Sequence, residues 1–499
     1  MKRFSIFFPV LCLLLTLGLT SCRKTARMHV EHPDWAPDVQ KNINGFLDRY
    51  QDKTNAYVVF DFDNTCSIFD VEMQTVVYQV ENMCFAMTPE EFQANLAIEN
   101  NGTPDCDTLQ MALQDIQVSY EKLYEKYGPF TPEGVSSEQK LQLSKDPWWK
   151  EFASKMLWTY DEVCGRMGID VGYCWLLYWF SGMTEEQVYA LSTTSFEKYA
   201  SVPTFNRLIV GDPNLPTNLG SKRYKATHGV SVSENIRELW QALQADGIDV
   251  WVCSASATPV IVAAVDFFGL HPYCKGVLGM TVARNDSTSC YIPSYDYETG
   301  YALLAQEDGT WIPDTLRLPL AAQPVRVGKT ESICHTLLPR YGGQGPLAGF
   351  MDSSGDYDFC TNFQSMRMVV CFNRANRKVT DGGGLIAALA IHQRDNLGLN
   401  IRKAGRKGET LYLLQGRDEN NQRTLRPSNT TLRFGENEEQ LFRGPENEQL
   451  LQYFNDNKLS TSEILNTFCI KTNLKDSPLG FPYGWHTSYK GYHSIPAVE

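Results

Sequence analysis

Short apolar runs alternate with longer stretches of helical periodicity along most of this chain. From Asp34 to Arg49, apolar residues at Val39, Ile43, Phe46 and Leu47 recur at the spacing of one helix face. Ala56 to Phe60, AYVVF, runs on without alternation, as strands covered on both faces do. Ile68 to Met87 returns to a helical pattern. Val232 to Asp246 puts Ile236, Leu239, Trp240 and Leu243 on one face, and Gly247 stands where a helix closes. Further buried strands are expected at Ile248 to Cys253, Pro346 to Met351 and Arg367 to Phe372, with helices at Thr330 to Leu338 and Gly382 to Arg394. Leu411 to Asp418 is a last apolar run before a polar remainder. Strands separated by helices in this way imply an α/β fold built on a parallel sheet. Between Gly269 and Gln323 the composition is rich in turns and strands, and Asp308-Gly309 beside Thr310-Trp311 signals a hairpin.

Residues 88 to about 225 separate the first two of these strands by far more than one connection needs. Trp149, Phe152, Met156 and Trp158 space like a helix face there, and Glu185 to Tyr199 forms another amphipathic run behind Gly182-Met183-Thr184. The segment is rich in aromatics, among them Trp148, Trp149, Trp158, Tyr173, Trp175, Tyr178 and Trp179. Such residues fill helical cores or wall a cage for a quaternary ammonium.

The amino terminus changes the picture. Lys2 and Arg3 precede an apolar run from Phe4 to Leu19, and Leu19-Thr20-Ser21-Cys22 follows as a lipobox-like cleavage site. The run is too short to span a membrane, which takes about 20 apolar residues. Residues 1–21 are therefore read as a lipoprotein signal peptide, with a plain secretory signal as the rival reading, Cys22 as the acylated residue, and the mature protein as exported and membrane-anchored on the periplasmic or cell-surface side. Cleavage removes Lys2 and Arg3 and takes the formal charge from -13 to -15. So acidic a chain is a poor partner for nucleic acid, which is held through Lys and Arg on phosphates. Of the fourteen cysteines, Cys12 and Cys22 belong to the export segment, and the others show no C-x-x-C pair or zinc spacing. Cys66 and Cys253 are read as small packed residues.

Candidate chemistry concentrates where the first strand ends, in Asp61, Asp63 and Thr65 of AYVVFDFDNTCS. Side chains alternate along an extended chain, so Asp61 and Asp63 start on one side, at the strand end where open α/β sheets bind ligands. Two such carboxylates suit a division of labour. Asp61 attacks phosphorus, while Asp63 protonates the leaving oxygen and then activates water. A carboxylate approaching a phosphate dianion needs a cation, and Mg²⁺ is the natural one.

Four ordered segments, FDFDNT at 60–65, VWVCSAS at 250–256, GK at 328–329 and FMDSSGDYD at 350–358, resemble the motifs of the haloacid dehalogenase superfamily. The resemblance covers residues 56–87 and 226–375. It implies a Rossmann-like core with a C1-type helical cap inserted over the site. The implied divisions are 22–87 for an N-terminal helix and the first part of the core, 88–225 for the cap, 226–400 for the rest of the core and 401–499 for an extension packing on it. It implies Asp61 as nucleophile, Asp63 as acid and base, and Ser254, Lys329 and Thr65 as phosphate-binding groups. Mg²⁺ would be held by Asp61, the Asp63 main-chain carbonyl, Asp352 and Asp356, with Asp358 able to stand in for Asp356. An Asp at position 63 also argues against dehalogenase and ATPase relatives, since it supplies an acid for an alcohol leaving group.

Within the superfamily, exported phosphorylcholine phosphatases look similar through FDFDNTCSIFDVE, the aromatic cap and LLQGRDEN at 413–420, and the phosphoserine phosphatase branch shares GMTEEQV at 182–188. The function implied is a Mg²⁺-dependent phosphomonoesterase for small organic phosphates, choline phosphate foremost. Asp70 and Glu72, at the start of the following helix, either complement its dipole or face a cationic substrate group. The alternatives are a phosphoserine phosphatase-like or broad-specificity acid phosphatase, and a ligand-binding lipoprotein that has the scaffold without the catalysis.

Overall fold

The computed structural model describes residues 28–98, 106–295, 300–320, 322–375, 382–420 and 423–468. The signal peptide and Cys22 lie outside them. The central strand is β1, Tyr57–Phe60, buried at every position. With β2 (Asp249–Ala257), β3 (Gly276–Met280), β4 (Leu303–Ala305), β5 (Trp311–Pro313), β6 (Ala348–Met351), β7 (Met368–Phe372) and β8 (Leu411–Gln415) it forms one eight-stranded sheet of order β5-β4-β3-β2-β1-β6-β7-β8. The six strands from β3 to β8 across the sheet run parallel, and the hairpin β4–β5 adds antiparallel at one edge. The fold is α/β, as the alternation of strands and helices implies.

Alternation along β1 decides what each face holds. Val58 and Phe60 point to a core shared with helices α1 (Pro37–Tyr50), through Ile43 and Phe46, and α7 (Glu234–Ala245), through Leu239 and Trp240. Tyr57 and Val59 point to a second core closed by α9 (Val327–Arg340), through Ile333 and Leu337, and by α10 (Gly382–Asp395). Asp61 continues the second series, so the chain leaves the strand with a carboxylate on the side from which α9 approaches. Phe60 is locked from its own side by stacking on Phe350 at 3.7 Å between ring centroids, with Trp240 at 5.3 Å.

Helix α2 (Val71–Asn82) follows the first strand and is buried almost all round, because later helices pack on it. The 88–225 stretch supplies Pro89–Asn95, α3 (Cys106–Tyr127), Ser137–Leu143, α4 (Pro147–Met167), α5 (Ile169–Leu177) and α6 (Glu185–Ala200). Helix α6 opens with a Thr184/Gln187 capping box and packs on α2 and on α8 (Thr258–Phe267). Gly182, φ +84°, brings its backbone so near Ala86 that a Cβ would lie 2.4 Å from that residue's carbonyl oxygen. The stretch ends in a β-hairpin, Phe205–Val210 with Arg223–His228, that no pattern in the sequence had signalled.

Two expectations need correction. The buried face of α4 is Trp149, Phe152, Met156 and Tyr160, whereas Trp158 turns outward and meets the Lys222 ammonium at 4.6 Å. A helix turns 100° per residue, so position 160 and not 158 continues the face begun at 149, 152 and 156. The division at 400/401 also fails, since Leu411–Gln415 is not an appendage but the eighth strand, paired along its length with β7. Helices α10 and α1 both pack on it, which places it within the core layers. Beyond β8, four short strands, Arg417–Asp418, Thr424–Leu425, Thr431–Leu432 and Glu439–Gln440, make a small separate sheet. No helix among the described residues is long and apolar enough to cross a membrane.

The ring stack across β1 and β6 yields a direct test. Phe60→Ala should lower unfolding free energy by about 3–5 kcal/mol, as large-to-small changes of buried aromatics do. Trp158→Ala should stay within about 1 kcal/mol, and equal losses in denaturant titration would contradict this account of the core.

Candidate active site

Four neighbouring strands, β2, β1, β6 and β7, deliver their carboxyl ends to one cavity of about 290 Å³. Immediately after β1 the backbone turns tightly. The Phe62 carbonyl accepts from the amides of Thr65, Cys66 and Ser67, and Asn64 adopts φ +60°. A left-handed non-glycine residue costs of order 1 kcal/mol or more, and Asn tolerates it better than most. The turn keeps Asp61 and Asp63 together beneath the cavity.

Asp61 is nearly buried, and both of its oxygens are engaged. Lys329, in the first turn of α9, donates to Oδ1 at 2.6 Å, and the Thr65 hydroxyl donates to Oδ2 at 3.0 Å. The same ammonium donates to Asp356 Oδ1 at 2.6 Å. Burial alone would push Lys329 towards losing its proton, but Asp356 and Asp61 outweigh it and hold the ammonium well above its ordinary range. Asp352 opens the loop after β6, and its amide donates to Asp356 Oδ2 at 3.3 Å. Carboxylate oxygens of Asp61, Asp352 and Asp356 all lie within 4.8 Å of one another. Burial raises the acids Asp61 and Asp356, and mutual repulsion with Asp352 adds to it. Oxygen donors this close, crowded by their own repulsion, are the donor set a hard divalent cation takes. Asp358 sits on the short helix Tyr357–Asn362, outside this triad.

Asp63 faces away from the triad. Its Oδ1 accepts the Val71 amide at 2.7 Å and its Oδ2 the Ser256 hydroxyl at 2.6 Å. Burial, then repulsion from Asp70 and Asp61, lifts its pKa well above the usual carboxyl range, so the group favours holding a proton. Ser254 is fully buried. Its hydroxyl reaches Asp63 Oδ2 at 3.3 Å and accepts the Ser256 amide at 3.2 Å, while Ala255 and Ser256 line the cavity. The pairing of β2 with β3 shifts register between Cys253 and Ala257, and within that stretch Ser254 and Ser256, two positions apart, both reach Asp63 Oδ2. Thr65 supports Asp61 from behind and is absent from the lining.

The wall opposite the sheet comes from α2 and the inserted helices: Asp70, Glu72, Met73, Tyr160, Ile169, Tyr173 and Leu176. Asp70 caps α2 by accepting the Met73 amide, and Glu72 accepts the Ala257 amide at 2.8 Å. Burial pushes Glu72 up to about 8 and Asp70 upward as well. Of the seven aromatics the sequence offers for a cage, Tyr173 alone lines the cavity, joined by Tyr160; Trp149, Trp175 and Trp179 are packed in the helical core. Trp149 and Trp175 spend their indole N–H groups on the Val80 and Leu96 carbonyls.

Two cations were not anticipated. Arg374, just past β7, donates to Asp352 Oδ2 at 2.9 Å, and Arg326, φ +53°, stands immediately before α9. Both line the cavity. Position alone could have found them, one after a strand's carboxyl end and one beside the Gly328-Lys329 pair. Cys66 and Cys253 are buried, as their reading as packed residues requires.

No protein-family model matches the chain, and no curated protein matches it. Among solved structures, a conserved functionally unknown protein from Anaerococcus prevotii DSM 20548 is 23% identical, and the match covers 82% of this chain and 99% of that one at a TM-score of 0.60. At this identity the likeness speaks of the fold alone. A phosphoserine phosphohydrolase-like protein from Francisella tularensis subsp. tularensis SCHU S4 is 12% identical, with 64% of this chain and 87% of that one covered and a TM-score of 0.26. Cytosolic 5'-nucleotidase IIIB bound to cytidine is 13% identical, with coverages of 68% and 78% and a TM-score of 0.28. At those scores neither carries an argument about this chain.

Proposed function

We propose that the chain is a Mg²⁺-dependent phosphomonoesterase of the haloacid dehalogenase type, acting on small organic phosphates with choline phosphate foremost. The observation that carries the reading is the meeting of Asp61, Lys329, Asp352 and Asp356 at 4.8 Å or less between carboxylates, with Asp63 beside them, on one cavity. Residues far apart in the chain, each taken from a separate motif, have no structural reason to converge on buried like charges.

In this reading the Asp61 carboxylate attacks phosphorus and the bond to the leaving oxygen breaks. Asp63, held by Val71 and Ser256, delivers its proton to that oxygen. It then takes a proton from the water that cleaves the aspartyl-phosphate, which returns Asp61 and frees inorganic phosphate. Lys329 neutralises Asp61 and the phosphoryl oxygens. Asp61, Asp352, Asp356 and the Asp63 carbonyl would hold Mg²⁺, which when bound supplies the positive charge that lets two anions approach. The helical wall excludes water from the phosphoenzyme.

The lining supports a cationic leaving group. Six acids, Asp61, Asp63, Asp70, Glu72, Asp352 and Asp356, face three bases, Arg326, Lys329 and Arg374. Lys329 and Arg374 are bonded to acids of the triad, and Arg374 also pulls on Asp70 as Arg326 does on Tyr173, while Glu72 stands with Tyr160 on the helical wall. Buried acids beside aromatic faces suit a quaternary ammonium, whose charge would draw Asp70 and Glu72 back towards the ionised form against the upward push of burial. Acylation at Cys22 would tether this activity to a membrane surface, and Cys22→Ser should abolish incorporation of labelled palmitate.

Three measurements test the reading. Purified protein lacking residues 1–22 should release phosphate from choline phosphate only with Mg²⁺, and Asp61→Asn should lower kcat by at least about 10³-fold. Turnover that survives chelation or Asp61→Asn would refute the mechanism. Glu72→Gln, which keeps an acceptor for Ala257, should reduce kcat/KM for choline phosphate about ten-fold, worth about 1.4 kcal/mol, and spare glycerol phosphate. Equal losses on both esters would remove the cationic subsite.

A further inference from the structure

The turn that carries Asp61 and Asp63 is held from outside by the small sheet beyond β8. Three amides converge on the Phe62 carbonyl, which leaves the Asn64 carbonyl pointing out of the turn. Arg417 satisfies it, with Nη1 donating to Asn64 O at 2.6 Å and Nη2 reaching Asn64 Oδ1 at 3.4 Å. The arginine is 1% exposed, and the rest of its guanidinium edge is taken by Glu419 Oε1 at 3.0 Å from Nε and 2.6 Å from Nη2. Its base cannot swing. Gly416 lets the strand pass so close to its neighbour that a Cβ there would lie 2.0 Å from the Thr430 carbonyl oxygen.

The same small sheet touches the catalytic segment a second time. Glu419 Oε2 accepts the Phe434 amide at 3.3 Å, and the Phe434 ring meets Phe69 edge-on at 6.2 Å. Phe69, φ +70°, is the residue before Asp70, and Asn64, φ +60°, is the residue after Asp63. Thus both left-handed positions in the loop between β1 and α2 are contacted by this sheet. Strained residues persist only where their surroundings over-determine them.

We propose that Arg417 is a positioning residue for the nucleophile turn, with Phe434 securing the other end of the same loop. It touches neither substrate nor reacting atoms and acts through the Asn64 backbone, so its loss should misplace Asp61 and Asp63 with little effect on the binding wall. The proposal rests on the phosphatase reading for its catalytic consequence, and on the geometry alone for the bracing.

The two parts separate in one set of variants. Arg417→Lys, Arg417→Ala and Phe434→Ala are compared with Arg423→Gln. Arg423 directly precedes the Thr424–Leu425 strand of the same sheet, but its guanidinium donates to the Tyr199 and Ala200 carbonyls at the end of α6. In hydrogen exchange, Arg417→Ala should raise exchange in a peptide spanning 61–70 and leave the 185–200 peptide as in wild type, with Arg423→Gln giving the reverse. In turnover, Arg417→Ala should lower kcat roughly 10- to 100-fold with KM changed less than about three-fold, as displacement of a catalytic group from a distance does. Arg417→Lys should recover part of it. If Arg417→Ala does not fold, Arg417→Lys and Phe434→Ala carry the comparison. Unchanged exchange at 61–70 overturns the proposal, as does a loss in KM alone. A wild-type protein that turns over no phosphate ester overturns the function proposed above, and exchange at 61–70 still decides the brace.

Discussion

One ammonium sits between two carboxylates at the bottom of the cavity, and the arrangement of the whole sheet serves it. Lys329 is buried with Asp61 and Asp356 each at 2.6 Å. Breaking a buried pair of this kind by removing one partner costs about 3–5 kcal/mol, because the remaining charge is left dry and alone. The three groups come from β1, from α9 and from the loop after β6, so their alignment demands that β1 lie beside β6 and that α9 pack on the face carrying Tyr57 and Val59. Parallel neighbours in register, Val58 with Ala348 and Phe60 with Phe350, meet the first demand. Ile333 and Leu337 meet the second. Apolar packing thus sets the positions of charges that could not have gathered by themselves.

The two sides of the cavity have different origins. Acids that crowd one another, with Lys329 and Arg374 among them, come from the ends of sheet strands and the start of α9. The opposing wall is Asp70 and Glu72 from α2 with Tyr160, Ile169, Tyr173 and Leu176 from the inserted helices. In the proposed phosphatase, reaction chemistry and discrimination of the leaving group fall to different parts of the chain, joined where the Val71 amide of α2 holds Asp63 and Glu72 accepts the Ala257 amide.

Much of this was legible beforehand because it rests on local rules. Continuous apolar runs mark Tyr57–Phe60, Asp249–Ala257, Ala348–Met351 and Met368–Phe372 as central strands, and the acids that follow Phe60 and Met351 fall at their carboxyl ends, where the structure gathers them with Lys329. What stayed hidden depends on register or on distant partners. Ser256 joins Ser254 at Asp63 Oδ2 within the stretch where pairing shifts between Cys253 and Ala257, which no single strand reveals. Tyr160 stands where tryptophans were expected because most aromatics of the inserted helices fill the space between them. Arg326 and Arg374 are ordinary surface residues until neighbouring strands bring them to one edge. Arg417 appeared in the sequence within LLQGRDEN, but its contact with Asn64 spans 353 positions, and no periodicity reaches so far.

That span bears on when the site becomes whole. A chain made from its amino terminus produces the Asp61 turn early and Arg417 late, and contacts of large sequence separation form slowly. Until the last strand of the sheet has docked and Gly416 lies against Ser428 and Thr430, the two left-handed residues that follow Asp63, Asn64 and Phe69, lack the contacts of Arg417 and Phe434. Under the bracing proposed above, fragments that end before Arg417 carry both aspartates without the fixed geometry between them that the proposed chemistry needs.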